Sequence, residues 1–587
     1  MSSGQDTPFD LPGLTLPVHY MPEYYDLEHK FSHALDPEDV ENGYCGCTFT
    51  LGELTMMRIM ETITDKPDWT TKIDNDEITS KWEREILESG LDVSDLMIEY
   101  IFKELSWKAQ QYAKMGIVMA YDPGVVKSDV VIPQDLQQKL RNAVKPLEEV
   151  PEVKKDYHPG SDGKVVDLVH PSLFPLVYGR TRVLYDSIID VGNCLSNIGQ
   201  GKVAGIAEDT GPLFSGRRYG DRVEEYSKRF QWLPCNVEFG PEGECRIVSY
   251  INNLHPIKHR DLYRVIEQII TRTIPLWNIS ITQRDDLPRR IEYETADYHP
   301  DEEPEPEYNG QQDYFERYDA WSDKRKPKQP EPNPDLFQPP VGPTHELVNL
   351  YDSFRDKGLQ VIVKLANIEL TPDKPEYEGG SWHVEGQLNE RICATAIYYY
   401  DCENITENTL SFRHRADVDY IQDVSYEQGQ FEFLRVFGFD RNAGSSDDAP
   451  ITQDLGGVSC RTGRLLTFPN TLQHRVSPFS LADRSKPGHR KIVALFLIDP
   501  NRRIISTANV PPQREDWCNE WIETTYDLLA SRLPVELQDI IHEHLDFTPM
   551  TMDEAKVYRQ ELMDERSSKS ESENDLFTLG GFSLCEH

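Results

Sequence analysis

Five short apolar runs in the C-terminal half constrain the fold of this chain more than any other feature. They are LQVIVKLANIEL (359–370), RICATAIYYYD (391–401), FEFLRVFGF (431–439), GRLLTFP (463–469) and RKIVALFLIDP (490–500). Each is rich in β-branched and aromatic residues and is bounded by turn-forming residues. A series of short strands with turns between them predicts a β-sandwich or barrel.

Upstream, the chain changes character several times. Residues 1–44 are acidic and Pro-rich and predict an extended surface segment. A helical region follows over 45–150. In it Thr50 and Glu53 form an S/T-x-x-E capping box ahead of Leu54, Met57, Ile59 and Met60, and Ser94 opens SDLMIEYIFKELSWKAQQYAKM. Residues 151–295 read as mixed α/β: CRIVSYINNLHPIKHRDLYRVIEQIITRTIPLW (245–277) predicts a strand, a turn at Asn252–Asn253 and an amphipathic helix. His158 and His170 each precede a proline and read as turn residues, since their spacing matches no metal motif.

Residues 296–343 are dominated by Pro and acid and predict a linker or mobile insertion. The expected β-core occupies 344–528, and helices and a tail fill 529–587, with Thr551 and Glu554 capping one helix. In that last part LPVELQDIIHEHLD loosely resembles the opening of an F-box. The pair Cys45-Gly-Cys47 has no second pair nearby to complete a zinc site. The fold class expected is therefore α+β.

Charge narrows the partners. With 101 acidic and 61 basic residues the net charge is −40, which repels phosphate backbones and disfavours nucleic acid. No window of about 18 apolar residues exists to cross a membrane. The opening MSSGQDTPFDLPGLTLPVHY lacks the basic and apolar regions of a signal peptide, and the ten cysteines are scattered. Both features predict a reducing compartment, cytoplasmic or nuclear.

Chemistry concentrates in GGSWHVEGQLNE (379–390). On an extended chain His383 and Glu385 point to one face. Two imidazoles and a carboxylate on one face of an octahedron leave three positions open, as a mononuclear iron(II) oxygenase requires. His474, in GRLLTFPNTLQHRVSPF, is the candidate third ligand. A co-substrate carboxylate also needs a cation, for which Arg490 at the start of the last run is favoured over its neighbour Lys491. His414 and His489 are expected in loops, and FDRNAGSSDDAPITQDLGG (439–457) in a lid or a hairpin loop.

The run WHVEGQLNERICATAIYYYD resembles the H-x-D…I-Y-Y-L-N run of prolyl-hydroxylase-type 2-oxoglutarate/iron(II) dioxygenases. GRLLTFPNTLQH is similar to the second cupin motif, G-x5-P-x-G-x2-H, with Thr471 in place of its last glycine. These resemblances cover about 359–500 and imply a double-stranded β-helix (jelly-roll, cupin-like). They imply iron(II) held by His383, Glu385 and His474, with 2-oxoglutarate held by Arg490 and Tyr399. The departure is Glu385, where that group usually has aspartate, although glutamate is familiar in related JmjC-type enzymes. Nearly the whole chain also resembles a large, mostly fungal family of proteins of unknown function, through YHPGSDGKVVDLVHPSLFPLVYGRT, SYINNLHP, GGSWHVEGQLNE and LCEH. The function implied is a 2-oxoglutarate- and iron(II)-dependent dioxygenase that hydroxylates or demethylates a small molecule or protein. The alternatives are a cupin-like metal protein without 2-oxoglutarate and a non-catalytic interaction scaffold. Substrate and oligomeric state are not legible.

Overall fold

The computed structural model describes residues 8–18, 20, 31–36, 48–206, 226–282, 288–301, 303–308, 310, 313–339, 347–416, 418–427, 429–446, 448–530, 547–582 and 584. The first long helix, α1 (Leu51–Thr64), starts where the capping box requires. Thr50 accepts from the Glu53 N–H, and the Glu53 carboxylate accepts from the Thr50 N–H. Helices α2 (Asp76–Leu87) and α3 (Asp95–Met115) follow, the latter capped by Ser94 and closed by Gly116 in the left-handed region. Next come strands β1 (Val118–Tyr121) and β2 (Val125–Ser128), then α4 (Gln134–Glu148). Strands β3 (Val165–Val169), β4 (Cys235–Phe239) and β5 (Cys245–Ile247) precede α5 (Arg260–Ser280).

The C-terminal half supplies β6 (Leu359–Leu370), β7 (Glu376–Tyr377), β8 (Ile392–Glu403), β9 (Thr409–Arg415), β10 (Thr452–Ser459), β11 (Leu465–Pro469), β12 (Gln473–Val476), β13 (Phe479–Ser480) and β14 (Gly488–Ile498). Helix α6 (Glu515–Ala530) and the long α7 (Met552–Thr578), capped by Thr551, end the chain.

These strands form antiparallel sheets in a mixed α+β fold without a closed barrel. The large sheet has nine strands in the order β1-β2-β11-β8-β14-β6-β4-β5, with β3 also pairing β6. A smaller sheet runs β10-β9-β12, and β7 pairs β13. The large sheet thus recruits β1 and β2 from the region expected to be helical, and β3, β4 and β5 from the mixed region. Edge strands of a wide sheet need partners for their backbone groups, and segments distant in sequence supply them.

The large sheet is buried on both faces, which is why its strands read as continuous apolar runs rather than alternating ones. One face packs on the small sheet: Ile397, Phe468 and Phe496 meet Leu410, Phe412 and Val458. The opposite face, with Val363, Ala396, Val493 and Leu495, packs on α4 and α5 through Leu140, Ile266 and Ile270. The run Tyr398-Tyr399-Tyr400 alternates between these layers, and all three rings are buried. Tyr400 donates to Glu148 and Asn367.

Several expectations are corrected. FEFLRVFGF is not a strand but a 3-10 helix over Phe431–Phe437, closed by Gly438 at φ 84°. Its apolar residues at 433, 434, 436 and 437 all bury in one satellite cluster, which a two-faced strand cannot do. His414 and His489 lie on strands, not in loops. Residues 439–457 contain a 3-10 turn (Arg441–Gly444) and the start of β10. Within 296–343 a short helix spans Tyr314–Ser322 and buries Trp321, so this stretch carries some core of its own. Cys45, Cys47 and the F-box-like stretch lie outside the described residues.

Helix α7 docks on the core through charge. Arg559 reaches Asp156, Arg566 reaches Glu390, and Glu554 accepts from Arg180. No helix among the described residues is long and apolar enough to cross a membrane.

Candidate metal centre

Beyond β7 the chain doubles back along β12. His383 and His474 exchange backbone hydrogen bonds, the His383 N–H to the His474 carbonyl at 3.2 Å and the reverse at 3.0 Å. Gly379 makes this approach possible. It sits at φ +89°, and a Cβ there would lie 2.8 Å from the Val476 carbonyl oxygen. The two imidazole rings end 4.3 Å apart between centroids.

Glu385 completes the group. Its Oε1 lies 3.4 Å from His474 Nε2 and 3.9 Å from His383 Nε2, and one ligand atom from each residue falls within 4.8 Å of the others. Ligand atoms at 2.0–2.2 Å from one ion, at right angles, lie about 3 Å apart. The two separations from Glu385 therefore need to close by about an ångström or less.

The wiring favours a metal. His383 Nδ1 lies 2.9 Å from the Ser381 carbonyl oxygen. That acceptor holds the proton on Nδ1 and leaves the Nε2 lone pair facing Glu385. The Glu385 backbone is clamped by Asn470, which accepts from the Glu385 N–H and donates to the Glu385 carbonyl, both at 2.9 Å. Asn470 in turn meets His33 Nε2 at 3.0 Å. His474 Nδ1 is buried without a hydrogen-bond partner among the described residues, and its ring packs on Phe468 at 4.7 Å.

His383 is 45% exposed, Glu385 15% and His474 3%, so the three ligands run from the surface inward. Loss of bulk water and the neighbouring His474 push the pKa of His383 down to about 4, against the pull of Glu385. Burial alone would raise Glu385, but the His474 hydrogen bond and both imidazoles hold it down to about 2. Both groups are thus in their ligating forms at neutral pH.

The rest of the predicted site lies deeper between the sheets. Arg490 faces inward and is buried. Its Nη1 donates to Asn408 at 3.0 Å, and its guanidinium lies 5.8 Å from the Tyr399 ring and 5.1 Å from that of Phe479. Its Nε is buried with no partner among the described residues. Lys491 faces the other way and pairs with Glu148 on α4. Tyr399 hydrogen-bonds the Cys460 thiol, and burial raises its pKa. At the rim, the Trp382 ring lies between the guanidinium groups of Arg413 and Arg475, at 4.8 and 4.4 Å.

Asn470 and Asn408 escape sequence reasoning, because Asn470 in its Pro-Asn turn reads as turn chemistry and Asn408 sits in a polar stretch just ahead of β9. A second histidine-carboxylate group also does. His158, Asp167 and His170 offer ligand atoms within 4.8 Å of one another. Here the wiring differs. His158 Nδ1 hydrogen-bonds Asp167 Oδ2 at 2.8 Å, and the same oxygen faces Arg559 at 3.5 Å. The Ser172 N–H donates to His170 Nδ1 at 3.2 Å, so a neutral His170 carries its proton on Nε2.

Comparison with known proteins adds a family. A model described as "Protein of unknown function (DUF4246)" matches residues 95–521, and its N-terminal companion domain, also of unknown function, matches residues 11–85. No curated protein matches. Among solved structures, a selenomethionine-labelled Fe(II)/(alpha)ketoglutarate-dependent dioxygenase, TqaL, aligns at 13% identity with a TM-score of 0.13. The alignment covers 24% of this chain and 42% of that one, too little to bear on the fold.

Proposed function

The chain belongs to the DUF4246 family of proteins of unknown function, and we propose that it is an iron(II)- and 2-oxoglutarate-dependent dioxygenase. The observation that carries this reading is the convergence of His383, Glu385 and His474, with the buried cation Arg490, turned inward from β14, assigned to the inner end of the site. Strand order supports it. Four adjacent strands of the large sheet (β11-β8-β14-β6) face β10-β9-β12 with β7 beside it, as a double-stranded β-helix arranges its two layers.

The donor set fits iron(II): two imidazoles and one carboxylate converging from one side. When bound there, the metal would activate dioxygen, using electrons from oxidative decarboxylation of the co-substrate. The protein's part is positioning. Ser381 fixes the His383 tautomer, and Asn470 fixes the Glu385 backbone. Arg490 supplies a desolvated cation with an uncommitted N–H for the distal carboxylate of 2-oxoglutarate. The Tyr399 and Phe479 rings line that end and keep water out. The charge at this inner end does not shift readily, because guanidinium stays protonated.

The test is uncoupled turnover. Purified protein with iron(II), ascorbate and 2-oxoglutarate should yield succinate, and His383→Ala should abolish it. Metal uptake without 2-oxoglutarate-dependent succinate would favour the cupin-like alternative. No metal uptake would remove both enzyme readings and leave the scaffold.

A further inference from the structure

Lys364 is the unexplained cation of this molecule. It lies on β6, two residues beyond Ile362, which packs between the two sheets, so both side chains point to that inner face. Its neighbours on this face are small. Ala494 stands opposite it on β14, and Ala366 follows it on β6. The charge of Lys364 is felt at His383 and Glu385 and also at Asp167 and His170, so it lies within electrostatic reach of both histidine-carboxylate groups.

Other cations drawn into the protein have close partners. Lys127 meets Glu61 and Asp65, Lys491 meets Glu148, Arg464 meets Asp129, and Arg290 meets Glu104 and Asp122. Lys364 makes no hydrogen bond and no close ion pair with any described residue. Glu385 belongs to the metal centre, and Asp167 gives one oxygen to His158 and Arg559 while its other oxygen is buried without a hydrogen-bond partner among the described residues. An ammonium on the inner face of a sheet, with no close ion pair, is free to take an anionic partner. A divalent ion and 2-oxoglutarate, set against Glu385 and Arg490, would balance each other and leave Lys364 still unanswered.

We propose that Lys364 anchors a carboxylate-binding subsite beside the metal centre, with the Nε2–H of His170 as a second donor on its far side. The proposal rests on the oxygenase reading and deepens it, because the carboxylate has two possible sources. One is the metal-proximal carboxylate of 2-oxoglutarate. The other is a carboxylate on the substrate, which would make the substrate class an organic acid.

The experiment uses full-length protein loaded with manganese(II), which occupies the centre without turning over. Calorimetric titration of 2-oxoglutarate comes first. A loss of tenfold or more in affinity in Lys364→Met, restored in Lys364→Arg, assigns the subsite to the co-substrate. If 2-oxoglutarate affinity is unchanged, acetate is added to the manganese(II)·2-oxoglutarate protein and its methyl proton relaxation is measured. Relaxation enhancement by the metal that disappears in Lys364→Met but survives in Lys364→Arg assigns it to the substrate. If Lys364→Met alters neither measurement, the proposal is overturned. Should the wild-type protein bind no manganese(II), the oxygenase reading fails separately. Acetate shift titration of the metal-free protein then decides: Lys364-dependent binding keeps the subsite, and its absence removes it.

Discussion

Two groups of like make-up, each two histidines and one carboxylate, lie within electrostatic reach of Lys364 and are wired in different ways. At His383, Glu385 and His474 the accessory bonds fall on the outer side of the ligands: Ser381 takes the Nδ1 proton of His383, and Asn470 holds the Glu385 backbone rather than its carboxylate. At His158, Asp167 and His170 one carboxylate oxygen, Oδ2, already meets an imidazole and a guanidinium, and only Oδ1 is left without a hydrogen-bond partner among the described residues. The difference teaches that donor count does not make a metal site. Lone pairs must be left pointing at one place, and the nearest charges must not already satisfy them.

The largest effect should come from the metal itself. His474→Ala should weaken manganese(II) binding at least 100-fold by calorimetry, whereas His158→Ala should leave both affinity and a stoichiometry of one ion unchanged. A fall in stoichiometry in the second variant would show that the two groups are alike after all.

Arg559→Met comes next. Arg559 forms a two-pronged bond to Asp156 and faces Asp167, and it is 4% exposed. Removing one partner of such a network costs about 3 kcal/mol, read as a lower urea midpoint with metal affinity unchanged. An unchanged midpoint would mean that Asp167 does not depend on this cation.

Asn470→Ala should weaken metal binding by about 10- to 100-fold through loss of the Glu385 clamp. His474→Ala should exceed it, since it removes a ligand and not a support. Equal losses would mean that Asn470 acts through folding.

The smallest effect is on acid stability. Burial would raise Asp167, but His170 and the His158 hydrogen bond outweigh it and hold the pKa to about 2 against an ordinary 3.8. A depressed acid stabilises the fold above its unfolded pKa, so about 2 kcal/mol is present above pH 4 and is lost as the pH falls towards 2. His170 adds an earlier step. Burial lowers its pKa, so the unfolded chain binds protons the fold refuses, and stability declines as the pH drops below about 6.5. In His170→Asn the slope of unfolding free energy against pH, between 6.5 and 5, should become shallower. An unchanged slope would place that acid sensitivity elsewhere.

Much of the local structure was legible in the chain. The capping box at Thr50, the serine cap at Ser94 and the threonine cap at Thr551 each depend on residues within three positions, and each forms. Four of the five apolar runs are strands. The fifth, at 431–439, misleads because alternating phenylalanines satisfy a strand pattern, while a short helix with burial all round uses the same residues. At the candidate centre, the types and order of His383, Glu385 and His474 were readable, because a facial ligand set leaves a short motif and a distal histidine. Asn470, His33 and Asn408 were not, because their hydrogen bonds join segments far apart in the chain.

By itself, then, the sequence determined the helix ends, most strands, the acidic envelope and the candidate ligands, since these rest on neighbouring residues or on composition. Tertiary structure alone decided which of Arg490 and Lys491 faces inward, because strand register turns one to the core and the other to Glu148. It alone joined residues 118–128 to strand β11, more than three hundred positions later. And it separated two groups that each hold two histidines and a carboxylate, because Asn470 reaches the Glu385 backbone from a distant turn while Arg559 reaches the Asp167 carboxylate from a distant helix.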